Sequence, residues 1–219
     1  MKDRVNNLSP ARLELRERVI KVAFASFSEK GVRAITMDDI ANLLSISKRT
    51  LYEIFRDKES LLRECVLYSQ KIFDDYAEEI SNGTYNVLEI MLKLHQKALE
   101  FYAHANRLFF EDISKYPEVK KLVHDLRENT MDKNMLFFKQ GVEQGLFRKD
   151  IDFDIIRLLL REQLDFLSNS ELLLKYSFPE LSTSVLLICL RGISTCEGNR
   201  VLERFIKSLK EPVSNFLVK

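Results

Sequence analysis

Between residues 36 and 58 the chain sets hydroxyls and cations at short intervals: Thr36, then Ser47, Lys48, Arg49, Thr50, Tyr52, Arg56 and Lys58. Leu51 and Phe55, four apart, form the apolar side of a short helix. Burying them turns Lys48, Arg49, Tyr52 and Arg56 outward. The exposed face then shows three cations and a tyrosine, with Glu53 as its one acid. Arg and Lys pair with O6 and N7 of guanine, while Thr and Tyr hydroxyls suit phosphates. Ser47, Lys48, Arg49 and Thr50 form the N-terminal turn, the end that recognition helices present to base edges. Unpaired N–H groups at helix starts also hold phosphate. This is the chemistry of nucleic-acid contact. Glu53 on that side would repel phosphate or accept from a cytosine amino group.

A second short helix must hold this face in place. Thr36 followed by Asp39 reads as a capping box, with Asp in place of the usual Glu. Met37, Ile40, Ala41 and Leu44 then make an apolar stripe two turns long. Ser45 and Ile46 interrupt it, and Ser47 caps the next start. Helix, tight turn, helix over residues 36–55 is the arithmetic of a helix-turn-helix. Small Ala41 lets the second helix cross close by. Ser45 in the turn can take a left-handed backbone at some cost. Upstream, Ile20, Ala23, Phe24 and Phe27 share one face of a helix from about Pro10 to Lys30, which Gly31 ends. Phe24, Phe27 and Phe55 are core residues in this reading, not stacking platforms.

From about residue 58 the helices lengthen, over roughly 58–81, 84–104, 106–115, 117–144, 152–176 and 180–210. Within 152–176, Ile155, Ile156, Leu158, Leu159, Leu160, Leu164, Phe166 and Leu167 spread around the circumference. A helix this apolar is buried on more than one side. Leu181, Val185, Ile188 and Gly192 line one face of the last piece. These two C-terminal helices are the candidate dimer surface, with an interior bundle position as the alternative. Cys189 and Cys196, seven apart, are expected on one face as apolar packing.

Composition narrows the class. With 6 Gly and 4 Pro among 219 residues, against roughly 15 and 11 on average usage, the chain disfavours an all-β fold and favours long helices. No run of about 18 apolar residues suggests a membrane span. Met1 to Pro10 lacks the apolar core of a secretory signal. Three cysteines without a Cys-x-x-Cys pair fit a reducing cytoplasm. Residues 1–60 hold 12 Lys and Arg against 9 Asp and Glu, and the remainder 22 against 24, so the N-terminal quarter is mildly basic. Enzyme signatures are missing. There is no glycine-rich phosphate loop. Gly192 to Cys196 has Cys where a nucleophile elbow needs its second Gly, inside a helical pattern. His95, His104 and His124 are scattered, without the spacing of a metal site. No cofactor or metal is expected.

The stretch from about Arg16 to Glu64 resembles the DNA-binding domain of the TetR family of bacterial transcriptional regulators. The matching residues are Ala23 to Phe27, Gly31, Ile35-Thr36-Met37, Ile40-Ala41, Ser47 through Tyr52, Phe55, Lys58-Glu59 and Leu61. They fall in order and spacing over about 50 residues. The family often has Gly where this chain has Ser45, and an aromatic where it has Glu53 and Ile54. The resemblance implies an all-α chain: a three-helix DNA-binding domain (1–57), then an α-helical bundle for effector binding and dimerisation (58–219). It implies phosphate contacts at Thr36, Tyr52 and Lys58. Lys48, Arg49 and Thr50 would lie at or near the bases. It places an effector pocket after residue 84, with Phe101, His104, Leu108, Phe109, Phe137 and Gln163 as candidate walls. Such an aromatic set would suit an apolar or amphipathic small molecule.

The expectation is a cytoplasmic, ligand-responsive repressor without enzymatic activity. It would bind palindromic double-stranded DNA as a homodimer through the two C-terminal helices. The alternative is a protein-interaction module whose helix-turn-helix is structural.

Overall fold

The computed structural model describes residues 9–102, 105–168 and 171–208. The fold is all-α. Among the described residues the α-helices are α1 (Pro10–Lys30), α2 (Met37–Leu43), α3 (Lys48–Ile54), α4 (Lys58–Ser81), α5 (Val87–Phe101), α6 (Arg107–Ile113), α7 (Pro117–Glu143), α8 (Phe153–Ser168), α9 (Phe178–Ile193) and α10 (Cys196–Ser208), with a 3-10 turn at Glu171–Leu174. No helix among them is long and apolar enough to cross a membrane. The chain forms two compact units, Met1–Lys71 with His104–His124, and Ile72–Ala103 with Asp125–Lys219. The first unit therefore extends past the expected boundary at residue 57 and recruits a later segment.

In the first unit, each short helix starts on a residue that can satisfy an orphan N–H. Pro10 opens α1, where its missing N–H costs nothing. Gly31 ends it at φ 85°, its N–H reaching the Phe27 carbonyl at 2.9 Å. A Cβ there would meet the Leu108 Cβ at 2.9 Å, so both backbone angle and close approach require glycine. The Thr36–Asp39 capping box is present on both sides. Asp57 and Ser60 cap α4 reciprocally, with Ser60 N donating to Asp57 Oδ1 at 2.8 Å. The capping box matters most for α2, whose seven residues are too short to persist alone. The core is Val19, Ile20, Ala23, Phe24, Phe27, Ile40, Leu51, Phe55 and Leu61, all buried. Each large member contributes about 1.5–3 kcal/mol.

Residues after 104 close this unit. Asn106 donates its backbone N–H to the Ser28 carbonyl at 2.8 Å and its side-chain amide to that of Glu29 at 3.0 Å. Phe109 is buried edge-on against Phe24, with ring centroids 5.9 Å apart. Buried Asp112 accepts from the Arg33 N–H at 2.8 Å and from Lys115 Nζ at 3.0 Å. Burial pushes its carboxyl pKa up, but these hydrogen bonds outweigh that and hold it below its ordinary value.

The second unit packs Val87, Leu88, Leu92, Phe138, Leu146, Phe147, Leu187, Leu190, Ile193, Val201 and Leu202 into one cluster. Phe147 lies so close to α7 that a Cβ on Gly141 would sit 2.1 Å from its ring. The expected single helix over 180–210 is two helices. At Ser194 the backbone turns extended and forms an antiparallel bridge with Phe147. Arg148 N donates to the Ile193 carbonyl at 2.8 Å and Thr195 N to that of Leu146 at 2.9 Å. The Thr195 hydroxyl then accepts from Gly198 N at 3.2 Å and starts α10. Cys189 and Cys196 therefore lie on different helices, the first partly buried and the second exposed. The expected 152–176 helix likewise ends at Ser168, ahead of the 3-10 turn.

The apolar girdle of α8, expected to be buried on more than one side, is only partly covered within the chain. Ile156 and Leu160 pack on the cluster, while Ile155, Leu158, Leu159 and Phe166 are exposed. The side chains of Leu164 and Leu167 lie outside those described. On α9, Ile188 is 74% exposed and Gly192 is also exposed, whereas Leu181 and Val185 are half-buried.

Candidate nucleic-acid interface

The corner between α2 and α3 is fixed by backbone geometry first. Ser45 takes φ 55°, the left-handed conformation that its turn demands. Ser45 N reaches the Asn42 carbonyl and Ile46 N that of Ala41, each at 3.0 Å, satisfying the end of α2. Ser47 Oγ then accepts from Thr50 N at 3.0 Å and starts α3. Ala41 of α2 and Leu51 of α3 are both buried.

That packing fixes which side chains face out. Arg49 and Arg56 are each 89% exposed and Lys48 is 65% exposed. Tyr52 and Glu53 are exposed as well. Ser47 and Thr50 are half-buried or exposed beside them, their hydroxyls 2.8 Å apart. Thr36 donates its hydroxyl to Asp39 at 2.7 Å, so its capping role is occupied in the free chain. That bond and the one from the Thr36 N–H hold the Asp39 carboxyl below its ordinary pKa.

The outward cations pair with acids of the same unit. Lys48 pairs with Asp38, whose carboxylate holds the ammonium above its ordinary pKa. Arg49 Nε lies 3.2 Å from Glu53 Oε1, and Arg56 Nε 2.9 Å from Asp57 Oδ2. Arg12, in the first turn of α1, places its guanidinium 2.5 Å from Glu53 Oε2. Exposed ion pairs of this kind contribute about 0–1 kcal/mol. They are weak enough to be exchanged for phosphate or base edges. Lys58 is set further in. Burial lowers its pKa, partly offset by the carboxylates of Asp112 and Asp39.

Seven expected contact residues thus fall within one unit: Thr36, Ser47, Lys48, Arg49, Thr50, Tyr52 and Lys58. Arg12 was not among them. It is 41 residues from Glu53, beyond any local periodicity, and opposite charge was the one signal available.

The described members of the expected effector set are divided between the two units. Leu108 and Phe109 belong to the first unit, where Phe109 is core against Phe24 and Leu108 covers Gly31. His104 lies outside the described residues. Phe101, Phe137 and Gln163 belong to the second unit. Phe101 packs edge-on against Phe73 at 5.3 Å, and Gln163 is exposed. The second unit holds one polar pair that sequence reading passed over: His95 Nε2 lies 2.9 Å from the buried Thr183 hydroxyl. Burial lowers the His95 pKa to about 4. Among the described residues no group of three His, Cys, Asp or Glu could hold a metal ion.

Residues 19–65 match the family described as bacterial regulatory proteins, tetR family. The HTH-type transcriptional regulator SAR2658 of Staphylococcus aureus strain MRSA252 is 30% identical over 153 residues, which cover 65% of this chain and 83% of that protein. The HTH-type transcriptional repressor KstR2 of Mycobacterium tuberculosis is 29% identical over 158 residues, covering 67% and 76%. The structure of that ketosteroid transcriptional regulator superposes with a TM-score of 0.55 at 25% identity, over 82% of this chain and 95% of that one. A TetR-family transcriptional regulator from Marinobacter aquaeolei VT8 shares the fold with a TM-score of 0.67 at 21% identity, over 88% and 97%.

Proposed function

The chain belongs to the tetR family of bacterial regulatory proteins, a transcriptional regulator and not an enzyme, and we propose that it is a repressor that binds a palindromic operator as a homodimer and leaves it when a small molecule binds. The observation that carries the DNA reading is the outward row on α3. A capped helix with Leu51 and Phe55 buried beneath it has Lys48, Arg49 and Tyr52 facing out. In this reading Lys48, Arg49 and Thr50 meet base edges, and Thr36, Ser47, Tyr52 and Lys58 meet phosphates. Two copies of α3 would enter successive major grooves about 34 Å apart.

The homodimer reading is supported by the exposed apolar side chains of α8 and α9. Ile155, Leu158, Leu159, Phe166 and Ile188 are each exposed, and large apolar side chains grouped on a surface mark an interaction site. A second copy of the same face would cover it with two-fold symmetry. The effector is proposed to be apolar or amphipathic. The KstR2 relative is named for ketosteroids, and the aromatic residues Phe101 and Phe137 of the second unit suit a ligand of that character. For such a molecule to release DNA, it must bind the two conformers of the dimer with different affinity.

Lys48→Ala and Arg49→Ala test the contact assignment. Each is expected to abolish preference for the operator while the dimer stays folded, read by DNA binding alongside sedimentation. Unchanged operator affinity in both variants overturns the assignment. Lys58→Ala should weaken all duplexes alike and flatten the salt dependence by about one unit.

A further inference from the structure

Glu53 stands where a carboxylate is least expected, on the face that must approach a polyanion. Its two oxygens are divided between two guanidiniums from different helices. Oε1 lies 3.2 Å from Arg49 Nε, one turn earlier on α3, and Oε2 lies 2.5 Å from Arg12 at the start of α1. The three side chains are 89%, 42% and 44% exposed for Arg49, Arg12 and Glu53. Pairs this open to water do little for the fold, and the burial in α1 and α3 and just after it is carried by residues such as Val19, Ile20, Leu51 and Phe55. Stability does not account for the arrangement.

Resting on the DNA-binding reading, we propose that Glu53 is the specificity-determining residue of this interface and that Arg12 is a further DNA contact which Glu53 holds in reserve. Against arbitrary duplex, Glu53 repels phosphate and keeps both guanidiniums engaged, so binding without the right sequence is suppressed. Against the operator, its carboxylate accepts from the N4 amino group of a cytosine in the major groove. Arg49, on the same face one turn away, is then free to donate to O6 and N7 of a neighbouring guanine. Arg12 turns to a phosphate of the backbone. The exchange trades two exposed ion pairs for hydrogen bonds to a C·G and a G·C pair, and it fails at a site that offers no cytosine. Selectivity here comes from a repulsive group that one sequence relieves.

The experiment selects duplexes from a randomised pool with the full-length wild type, Glu53→Gln, Glu53→Asp and Arg12→Ala, then measures each on the selected and a scrambled duplex across a salt series. The wild type should require cytosine at one position of each half-site. Glu53→Gln, nearly the same shape without the charge, should shift that position towards adenine, which Gln pairs with, or lose the preference. It should bind scrambled duplex about tenfold more tightly. Its slope of log K against log salt should steepen by about one unit, as one more cation meets phosphate. Arg12→Ala should weaken both duplexes and flatten the slope by about one unit. Glu53→Asp keeps the charge but is too short to span both arginines. It should keep weak binding to scrambled duplex while losing the sharp cytosine preference. Wild type that discriminates its operator, with Glu53→Gln matching it in base preference and in scrambled affinity, overturns the inference and leaves the DNA reading standing. Wild type that binds no duplex overturns both.

Discussion

The α2–α3 corner and the α8–α9 pair present opposite kinds of surface. At the corner, apolar side chains point in and charges point out. Ile40, Ala41 and Leu51 are buried, while Lys48, Arg49, Glu53 and Arg56 face water in weak pairs. On α8 and α9 large apolar side chains point out: Ile155, Leu158, Leu159, Phe166 and Ile188. A charged face held by weak pairs exchanges readily with a charged partner at low cost in burial. An apolar face is relieved by covering it with another apolar face. The same chain thus carries one surface of exchangeable charge, which the proposal assigns to DNA, and one of exposed apolar side chains, which it assigns to a second copy.

The contrast can be broken most sharply at the apolar face. Ile188→Glu combined with Leu159→Glu should abolish self-association, with helix content unchanged, read by analytical ultracentrifugation and circular dichroism. A double variant that still dimerises would deny that face its role. Next in size is the interior of the corner. Leu51→Ala removes a fully buried side chain and should cost about 2–5 kcal/mol in chemical denaturation. Ile188→Ala, at an exposed site, should cost under about 0.5 kcal/mol within the protomer. Equal costs would erase the distinction between the two surfaces.

A pH dependence belongs to the second unit. The folded His95 pKa is about 4, against 6.5 for the unfolded chain, so the unfolded state takes up the proton first as pH falls. Stability from this residue is intact above about pH 6.5 and is lost progressively towards pH 4. The loss is at most about 3 kcal/mol. His95→Gln should flatten that part of the stability profile, and an unchanged profile would remove His95 as its source. A smaller effect than that of Leu51→Ala is expected at the first unit's capping box. Thr36→Ala should cost about 1 kcal/mol, measured as a shift in the denaturation midpoint.

What could be read from the sequence follows the range of the interactions. Thr36 with Asp39, Ser47 with Thr50, and Gly31 after Phe27 act within a few residues, and the sequence shows each of them. Ser45, too, lies in a turn whose neighbours announce it. The break at Ser194 does not announce itself, because the residue that bends it away from the helix is Phe147. Asp112 meets Arg33 at 79 residues' remove, and Asn106 meets Glu29 at 77. Those long-range bonds belong to the segment that sets Phe109 in the core of the first unit, while Leu108 on the same helix stays half exposed. Arg12 entered the candidate interface by the same kind of contact, through Glu53. The helical periodicity of α8 and α9 was legible, but which face stayed exposed depended on how the rest of the unit packed.

The most direct measurement is fluorescence anisotropy of the purified protein on duplex DNA from upstream of its own coding region, across a salt series. The account predicts a steep loss of affinity with rising salt together with tighter binding than to a scrambled duplex. Folded, ligand-free protein that binds neither duplex at any salt concentration would contradict it.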